Sequence, residues 1–101
     1  MAKNQENAEQ LGRAWALHIK GQNDDAIHEF NALLQTSANN MDALYGLGLA
    51  QRSSGKIQAA QDSFQKCASA INSALAEKPR EDRYQMLQRM IKQRIDETKD
   101  K

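Results

Sequence analysis

The fold is decided by residues 40–75, which read NMDALYGLGLAQRSSGKIQAAQDSFQKCASAINSAL. The first half predicts a helix that Asn40 caps, with Asp42 in its first turn, where a negative charge favours the helix dipole. The helix should end at Gly55, because glycine tolerates the left-handed conformation that follows a helix end. A second helix should begin near Ile57, where apolar residues start to recur at spacings of three and four. This stripe consists of Ala60, Phe64, Cys67, Ala68, Ile71 and Leu75. The stretch therefore predicts a helical hairpin.

The same pattern occurs one step of 34 residues earlier in the chain. The shift aligns Gly21 with Gly55 and Ala26 with Ala60. Further coincidences in this register are Ala14 with Gly48, Ala16 with Ala50, Phe30 with Phe64, and Leu33 with Cys67. Because all of them involve small or apolar residues, they predict two equivalent hairpins that bury a shared core by stacking.

The first hairpin should open with a helix over residues 7–20, ending at Gly21. Its second helix should be capped by Asp24 or Asp25. The apolar stripe of that helix consists of Ile27, Phe30, Leu33 and Leu34. Small residues at the crossing of the two helices allow their axes to approach closely, and the phenylalanines fill the space one turn further on.

The spacing resembles the tetratricopeptide repeat, whose pattern is W-x2-L-G-x2-Y, then A-x3-F, then P. The second unit matches it at Leu44, Leu47, Gly48, Ala60 and Phe64, with Gln51 in place of the tyrosine and Asn72 in place of the proline. The first unit matches at Ala14, Leu17, Ala26 and Phe30, and departs at Gln10, Arg13 and Ala38. The resemblance covers about residues 7–74.

The residues after the repeats predict one further helix, from about residue 80 to residue 98, with Pro79 in its first turn. Its stripe is Tyr84, Leu87, Ile91 and Ile95, with Met86 and Met90 beside it. We therefore expect an all-α fold, a short α-solenoid of two stacked helix-turn-helix hairpins and a C-terminal capping helix. Its parts are a disordered or frayed N-terminus (1–6), a first repeat (7–39), a second repeat with an extended second helix (40–78), and the capping helix (79–101).

Composition narrows the functional classes. The net charge of +1 does not favour nucleic acid as a bulk electrostatic partner. The polar first ten residues contain no apolar core of a signal peptide, and no stretch approaches the roughly 18 apolar residues that span a bilayer. A cytoplasmic location is the resulting expectation. The single cysteine permits no internal disulfide and no cysteine-rich metal site.

No catalytic arrangement is visible in the sequence. Cys67 is the best nucleophile by type, but it lies on the apolar stripe, where a structural role is the better interpretation. His18 and His28 fall on different helices without the spacing of a metal site. We therefore expect a protein that is not an enzyme and that holds neither a cofactor nor a metal ion.

In tetratricopeptide proteins the first helix of each repeat lines the concave face, which usually binds peptides. The resemblance therefore implies a face that binds a protein or peptide partner through Leu11, Trp15, His18, Ile19, Tyr45, Leu49 and Arg52. One variety of the family binds a C-terminal carboxylate there, but the matching places hold Leu11, Trp15 and Gly46, which lack the required donors. An apolar groove with Arg52 at its edge would instead accept a helix or an extended peptide.

Two alternatives remain open at this stage. The apolar face could be filled by the last helix of the same chain, or by a second copy in a homodimer. The last helix also carries Arg83, Arg89, Lys92 and Arg94 without an intervening acid, so it could contact nucleic acid or a lipid surface.

Overall fold

The computed structural model of the protein describes the backbone of residues 2–99 and the side chains of residues 7–98. This part of the chain contains five helices and no strand, which confirms the all-α class. The helices are α1 (Ala2–Ile19), α2 (Asn23–Thr36), α3 (Met41–Ser53), α4 (Ile57–Glu77) and α5 (Asp82–Lys99).

The ends of α1 and α3 follow the sequence signals. The Asn40 side chain accepts a hydrogen bond from the backbone N–H of Ala43 at 3.1 Å, which caps α3 as predicted. Gly21 and Gly55 follow α1 and α3 with φ of +83° and +82°, the left-handed conformation that only glycine adopts without strain. In both turns the N–H of the glycine and the N–H of the next residue donate to carbonyls of the preceding helix. Those carbonyls at the helix end therefore have hydrogen-bond partners.

Two predicted helix starts are wrong. Neither Asp24 nor Asp25 caps α2, because the helix begins one residue earlier and its capping position holds Gln22, which makes no side-chain hydrogen bond. Both aspartates instead lie in the first turn, where their charge favours the helix dipole. Pro79 does not lie in the first turn of α5. A turn closed by the bond from Glu81 N–H to the Lys78 carbonyl contains it, and proline suits the second position of such a turn.

The structure does not test the prediction that residues 1–6 are disordered or frayed. The backbone of α1 begins at Ala2, so helix covers most of residues 1–6, for which the sequence predicted disorder or fraying. Met1 lies outside the described residues. The expectation of a frayed end therefore stays a prediction.

Helix α3 packs between α2 and α4, and two glycines make this possible. A Cβ atom on Gly46 would lie 2.3 Å from the Phe30 ring of α2, and one on Gly48 would lie 2.3 Å from the Phe64 ring of α4. Because Gly46 and Gly48 are two residues apart, they lie on nearly opposite sides of the helix. The two aromatic rings therefore press against the α3 backbone from both sides.

The helices form two layers. The molecule measures 42 × 36 × 19 Å, and a helix with its side chains is about 10–12 Å across, so the short dimension holds two helices. One layer contains α1, α3 and α5, and the other contains α2 and α4, which pack against α3. Ion pairs join the start of α3 to the start of α5 and the end of α3 to the end of α5, so these two helices run parallel.

The core consists of two neighbouring clusters that share the partly buried Leu34. The first lies between the two hairpins and contains Ala14, Ala26, Phe30, Leu33, Ala43, Leu47 and Ala50. The second lies under α4 and α5 and contains Leu44, Ala60, Phe64, Cys67, Ile71 and Ile91. Helix α5 is thus part of the core, since Ile91 is almost fully buried.

Candidate protein-binding face

Three of the residues predicted to bind a partner occupy one side of α1. Leu11 and Trp15 are half-buried and pack against the first core cluster. The Trp15 ring meets the Phe30 ring edge-on, with 5.6 Å between ring centroids. Ile19, one turn further along, is 80% exposed. This side of α1 therefore presents an apolar row that is anchored in the core at one end and open to solvent at the other.

His18 is engaged within the chain. Its Nδ1 atom lies 2.9 Å from the Asn23 side-chain oxygen, across the turn that joins α1 to α2. Its ring also lies edge-on to Trp15, with 6.0 Å between centroids. The contacts made by His18 thus fix the turn and support the Trp15 ring.

Tyr45 and Leu49 occupy the corresponding side of α3. Both are half-buried and pack against the second core cluster. The Tyr45 ring is tilted against the Phe64 ring, at 6.1 Å between centroids. Trp15 and Tyr45 thus each rest on the phenylalanine of their own hairpin, and they belong to different core clusters.

Arg52 contacts another part of the chain. Its guanidinium donates to the Glu97 carboxylate of α5 at 2.6 Å. Arg94 approaches the same carboxylate oxygen at 3.2 Å. The charge of Arg52 is thus matched by a residue 45 positions further along the chain, and its place at the edge of a binding groove stays a prediction.

Two partly exposed ion pairs link α5 to α3. Arg83 of α5 donates to Asp42 of α3 at 3.0 Å, and the Arg52–Glu97 pair joins the two helices at their other end. Between these pairs lie two apolar residues on each helix, at equivalent spacings. They are Tyr45 and Leu49 on α3, and Met86 and Met90 on α5.

Helix α5 packs against α4 and contributes Ile91 to the core cluster against which Tyr45 and Leu49 pack. Met86 is 49% exposed and Met90 is 38% exposed, and they follow Arg83 by three and seven residues, which places them on the side of α5 that carries its ion pair to Asp42. We call this set of residues on the three helices the α1/α3/α5 face. It consists of Leu11, Trp15, Ile19, Tyr45, Leu49, Met86 and Met90.

A groove lies on the opposite layer, between α2 and α4. It encloses about 870 Å³, and its floor includes Leu44 and Leu47 of α3. Its walls are mostly polar, with Asn31 on α2 facing a row on α4 made of Gln65, Ser69 and Ser73. The sequence analysis did not identify this groove, because exposed polar residues on α2 and α4 looked like ordinary solvated surface.

The side chains that could act as a nucleophile or as metal ligands are poorly placed for those roles. Burial, with a smaller contribution from the nearby Asp42 carboxylate, raises the pKa of the Cys67 thiol from 9.0 to about 12, so the nucleophilic thiolate is disfavoured. The thiol lies 3.5 Å from the Met41 carbonyl in the core. Among the residues that the structure describes, no cluster of histidine, cysteine, aspartate or glutamate could hold a metal ion.

The four basic residues from Arg83 to Arg94 do not form one surface. Arg83 and Arg94 are paired with Asp42 and Glu97, whereas Arg89 and Lys92 border a shallow pocket of about 410 Å³ that Asp96 and Glu97 also line. This mixture of charges gives no concentrated basic patch. No helix within residues 2–99 combines the length and apolar character needed to cross a membrane.

Met86 and Met90 are the functional candidates that sequence reasoning missed. Their spacing of four residues places them on one side of α5, a signal that was present in the sequence. The parallel alignment of α5 with α3 depends on ion pairs between residues more than 40 positions apart, and helical spacing does not predict such pairs.

Comparisons with known protein families, with curated proteins and with solved structures find no match to this chain.

Proposed function

We propose that this chain is a non-enzymatic protein-interaction module, built as a short stack of tetratricopeptide-like hairpins, that binds a peptide or helix of a partner protein on the α1/α3/α5 face. The support for the repeat comes from α3 packing between α2 and α4 through Gly46 and Gly48. Phe30 and Phe64, which are 34 residues apart, are both fully buried against a glycine of α3.

One observation carries the functional proposal. Only three large apolar side chains are exposed among residues 7–98, namely Ile19 on α1 and Met86 and Met90 on α5, and all three belong to the helix sides assigned to the α1/α3/α5 face. Exposed apolar side chains on one face are typical of a surface that binds another protein. The half-buried Trp15 and Tyr45 belong to the same helix sides and have the amphipathic ring character common in interface anchors.

The chemistry of the face indicates what kind of segment it accepts. Methionine side chains are flexible and polarisable, so they adapt to apolar side chains of different shapes. In the two ion pairs that border Met86 and Met90, the opposite charges of the partners neutralise each other, so the centre of the face carries no net charge. A partner segment should therefore carry apolar residues spaced for one face of a helix or of an extended strand.

The experiment compares partner capture by the wild-type chain with capture by a Met86→Glu/Met90→Glu variant. Both methionines are exposed, so the substitutions should leave the thermal unfolding curve nearly unchanged. A carboxylate at either position would be desolvated against an apolar partner, so capture should be lost.

Gln35→Glu is the control, because Gln35 is exposed on α2 in the other layer and the substitution adds one negative charge, as each of the two methionine substitutions does. Its capture should equal that of the wild type. If the double methionine variant captures the same partners as the wild type, the α1/α3/α5 face is not the binding surface.

The same face could instead join two copies of this chain, since two methionines on α5 would pack equally well against a second apolar face. Sedimentation equilibrium of the wild type and the double methionine variant distinguishes the two functions. A monomer in both samples supports a foreign partner. A wild-type dimer that the double variant dissociates would show that the face is used for self-association.

A further inference from the structure

We propose that α5 is a latch, a helix that undocks from α4 as one unit while α1 to α4 stay folded. Two ion pairs to α3 help to hold it in the docked position. How α5 is held does not depend on the function proposed for the α1/α3/α5 face, so the two can be tested separately.

Few buried residues attach α5 to the core. Of the side chains at positions 82–98, two are buried, Ile91 and Thr98. The Thr98 hydroxyl donates to carbonyls of its own helix, so Ile91 is the one fully buried apolar side chain that α5 contributes to the second core cluster. Leu87 and Ile95 are partly buried against that cluster. By contrast, α3 buries six of its 13 residues. A helix that buries less apolar surface has a smaller free energy of docking.

The packing of α1 to α4 does not require α5. The buried residues of the first core cluster all belong to α1, α2 and α3. Phe30 presses against Gly46 within that group, and Phe64 of α4 presses against Gly48 of α3. Within residues 2–99, α4 is the only helix whose backbone packs closely along α5. These contacts among the first four helices therefore remain when α5 leaves.

The turn between α4 and α5 is held differently from the turns inside the two hairpins. Each of those turns contains a glycine with positive φ and two N–H groups that donate back into the preceding helix. Residues 78–81 contain no glycine, and all four are exposed. The bond from Glu81 N–H to the Lys78 carbonyl closes this turn, and the Gln85 side chain donates to the Pro79 carbonyl. Because a residue that precedes proline favours extended backbone, the chain can straighten at Lys78 when these bonds open.

The ion pairs make the docking of α5 sensitive to salt. Arg83 contacts Asp42 at 3.0 Å, and Glu97 contacts Arg52 at 2.6 Å. At least a third of each of these side chains is exposed. Exposed ion pairs are weak, and dissolved salt screens them. The fraction of molecules with α5 undocked should therefore increase as the ionic strength rises.

Undocking changes the α1/α3/α5 face. It separates Met86 and Met90 from Tyr45 and Leu49, and it uncovers the side of α4 that carries Ile71, which lies in the same core cluster as α5. The face is therefore complete only while α5 is docked, and the ionic strength sets the fraction of molecules that present it whole.

Amide hydrogen exchange of the full chain, followed residue by residue by NMR, measures the opening of each helix. Wild type is compared with Ile27→Ala and Ile91→Val. Ile27 is half-buried against the first core cluster, and Ile91 belongs to the second. Both truncations lower the free energy of unfolding, and urea unfolding gives the global value for each chain.

We expect the α5 amides of the wild type to share one opening constant, at least about tenfold larger than that of the slowest amides of α3. Ile27→Ala should raise the opening constant of the α3 amides and leave that of α5 unchanged, because the first cluster stays intact when α5 undocks. Ile91→Val should raise the opening constant of α5 by about two- to twelvefold.

Salt provides a second test. Raising the NaCl concentration from ~0.05 M to ~0.5 M should increase the opening constant of α5 by about two- to fivefold. The same change should leave it unaltered in an Asp42→Asn/Glu97→Gln variant, which lacks both ion pairs.

Two results would overturn the proposal. If Ile27→Ala accelerates the α5 amides by the same factor as the α3 amides, or if α5 exchanges with the global unfolding constant, α5 opens only when the whole chain unfolds. If salt leaves the opening constant of wild-type α5 unchanged, the ion pairs do not hold the latch.

Discussion

Replacing Gly46 with alanine tests whether the Phe30 ring presses against the α3 backbone. The added Cβ would lie 2.3 Å from one ring carbon of Phe30 and 2.6 Å from another, closer than real Cβ contacts. Phe30 is completely buried, so its ring has no free space into which it can move. Overpacking of this kind typically costs about 1–3 kcal/mol, and the better helix propensity of alanine returns about 1 kcal/mol. We expect a net destabilisation of up to about 2 kcal/mol.

Gly12→Ala is the matched control, because Gly12 is also an interior helix glycine and a Cβ there would meet nothing within 4 Å. This substitution should stabilise the protein by up to about 1 kcal/mol through helix propensity alone. Because both substitutions gain the same helix propensity, their free energies of unfolding should differ by the overpacking cost, about 1–3 kcal/mol.

Urea unfolding followed by circular dichroism measures both free energies. A double-mutant cycle with Phe30→Leu assigns the cause, since a smaller side chain at position 30 should relieve most of the cost of Gly46→Ala. If Gly46→Ala stabilises the protein as much as Gly12→Ala does, the α2–α3 packing described here is incorrect. Gly48→Ala is an independent repeat of the experiment, because its Cβ would meet Phe64 at the same distance.

Three further predictions concern the core, an ion pair and the thiol. Phe64→Ala should cost about 3–5 kcal/mol in urea unfolding, because the ring is fully buried, and a loss below about 1 kcal/mol would contradict that burial. A double-mutant cycle on Arg52 and Glu97 should give a coupling of at most about 1 kcal/mol, since 35% and 38% of these side chains are exposed; a much larger value would mean that the pair is desolvated. Burial raises the pKa of Cys67 from 9.0 to about 12. The stabilisation that comes from burying the neutral thiol is therefore complete below pH 9 and is lost as the pH rises toward 12. A thiol reagent at pH 8 should therefore label Cys67 only in urea, and rapid labelling of the folded chain would refute its burial.

The local features of the fold were predictable because short-range chemistry determines them. Asn40 caps α3 and Gly55 ends it, and both roles depend on residues within one turn. The extended α4 ends at Glu77 as predicted, before the turn that contains Pro79. The errors at Asp24 and Pro79 are errors of one or two residues. Several neighbouring residues could start those helices, and the sequence signals did not distinguish among them.

The packing of α3 was less predictable. Gly48 was assigned to a helix crossing from the repeat register, and its approach to Phe64 agrees with that assignment. Gly46 aligns with Gly12 of the first unit, but Gly12 is exposed and a Cβ there would meet nothing within 4 Å. Its role depends on Phe30 of the preceding hairpin, and such a long-range contact has no local signature.

The candidate site was predictable only in part. Helical spacing placed Trp15 and Ile19 on one side of α1, and Tyr45 and Leu49 on one side of α3. It did not predict that Arg52 pairs with Glu97, because that contact depends on where α5 packs. Substituting Trp15 or Tyr45 is consequently a poor test of binding, since both rings rest on buried phenylalanines and their loss would also weaken the core.

The exposure of the α1/α3/α5 face can be measured directly by methionine oxidation. The purified chain, alone and with its captured partner, is treated briefly with hydrogen peroxide, and mass spectrometry gives the oxidation rate of each methionine. Oxidation follows exposure, so Met86 and Met90 should be oxidised faster than Met41, which packs against the core, and binding should protect them. Oxidation of Met86 and Met90 as slow as that of Met41 in the free chain would mean that the face is already covered.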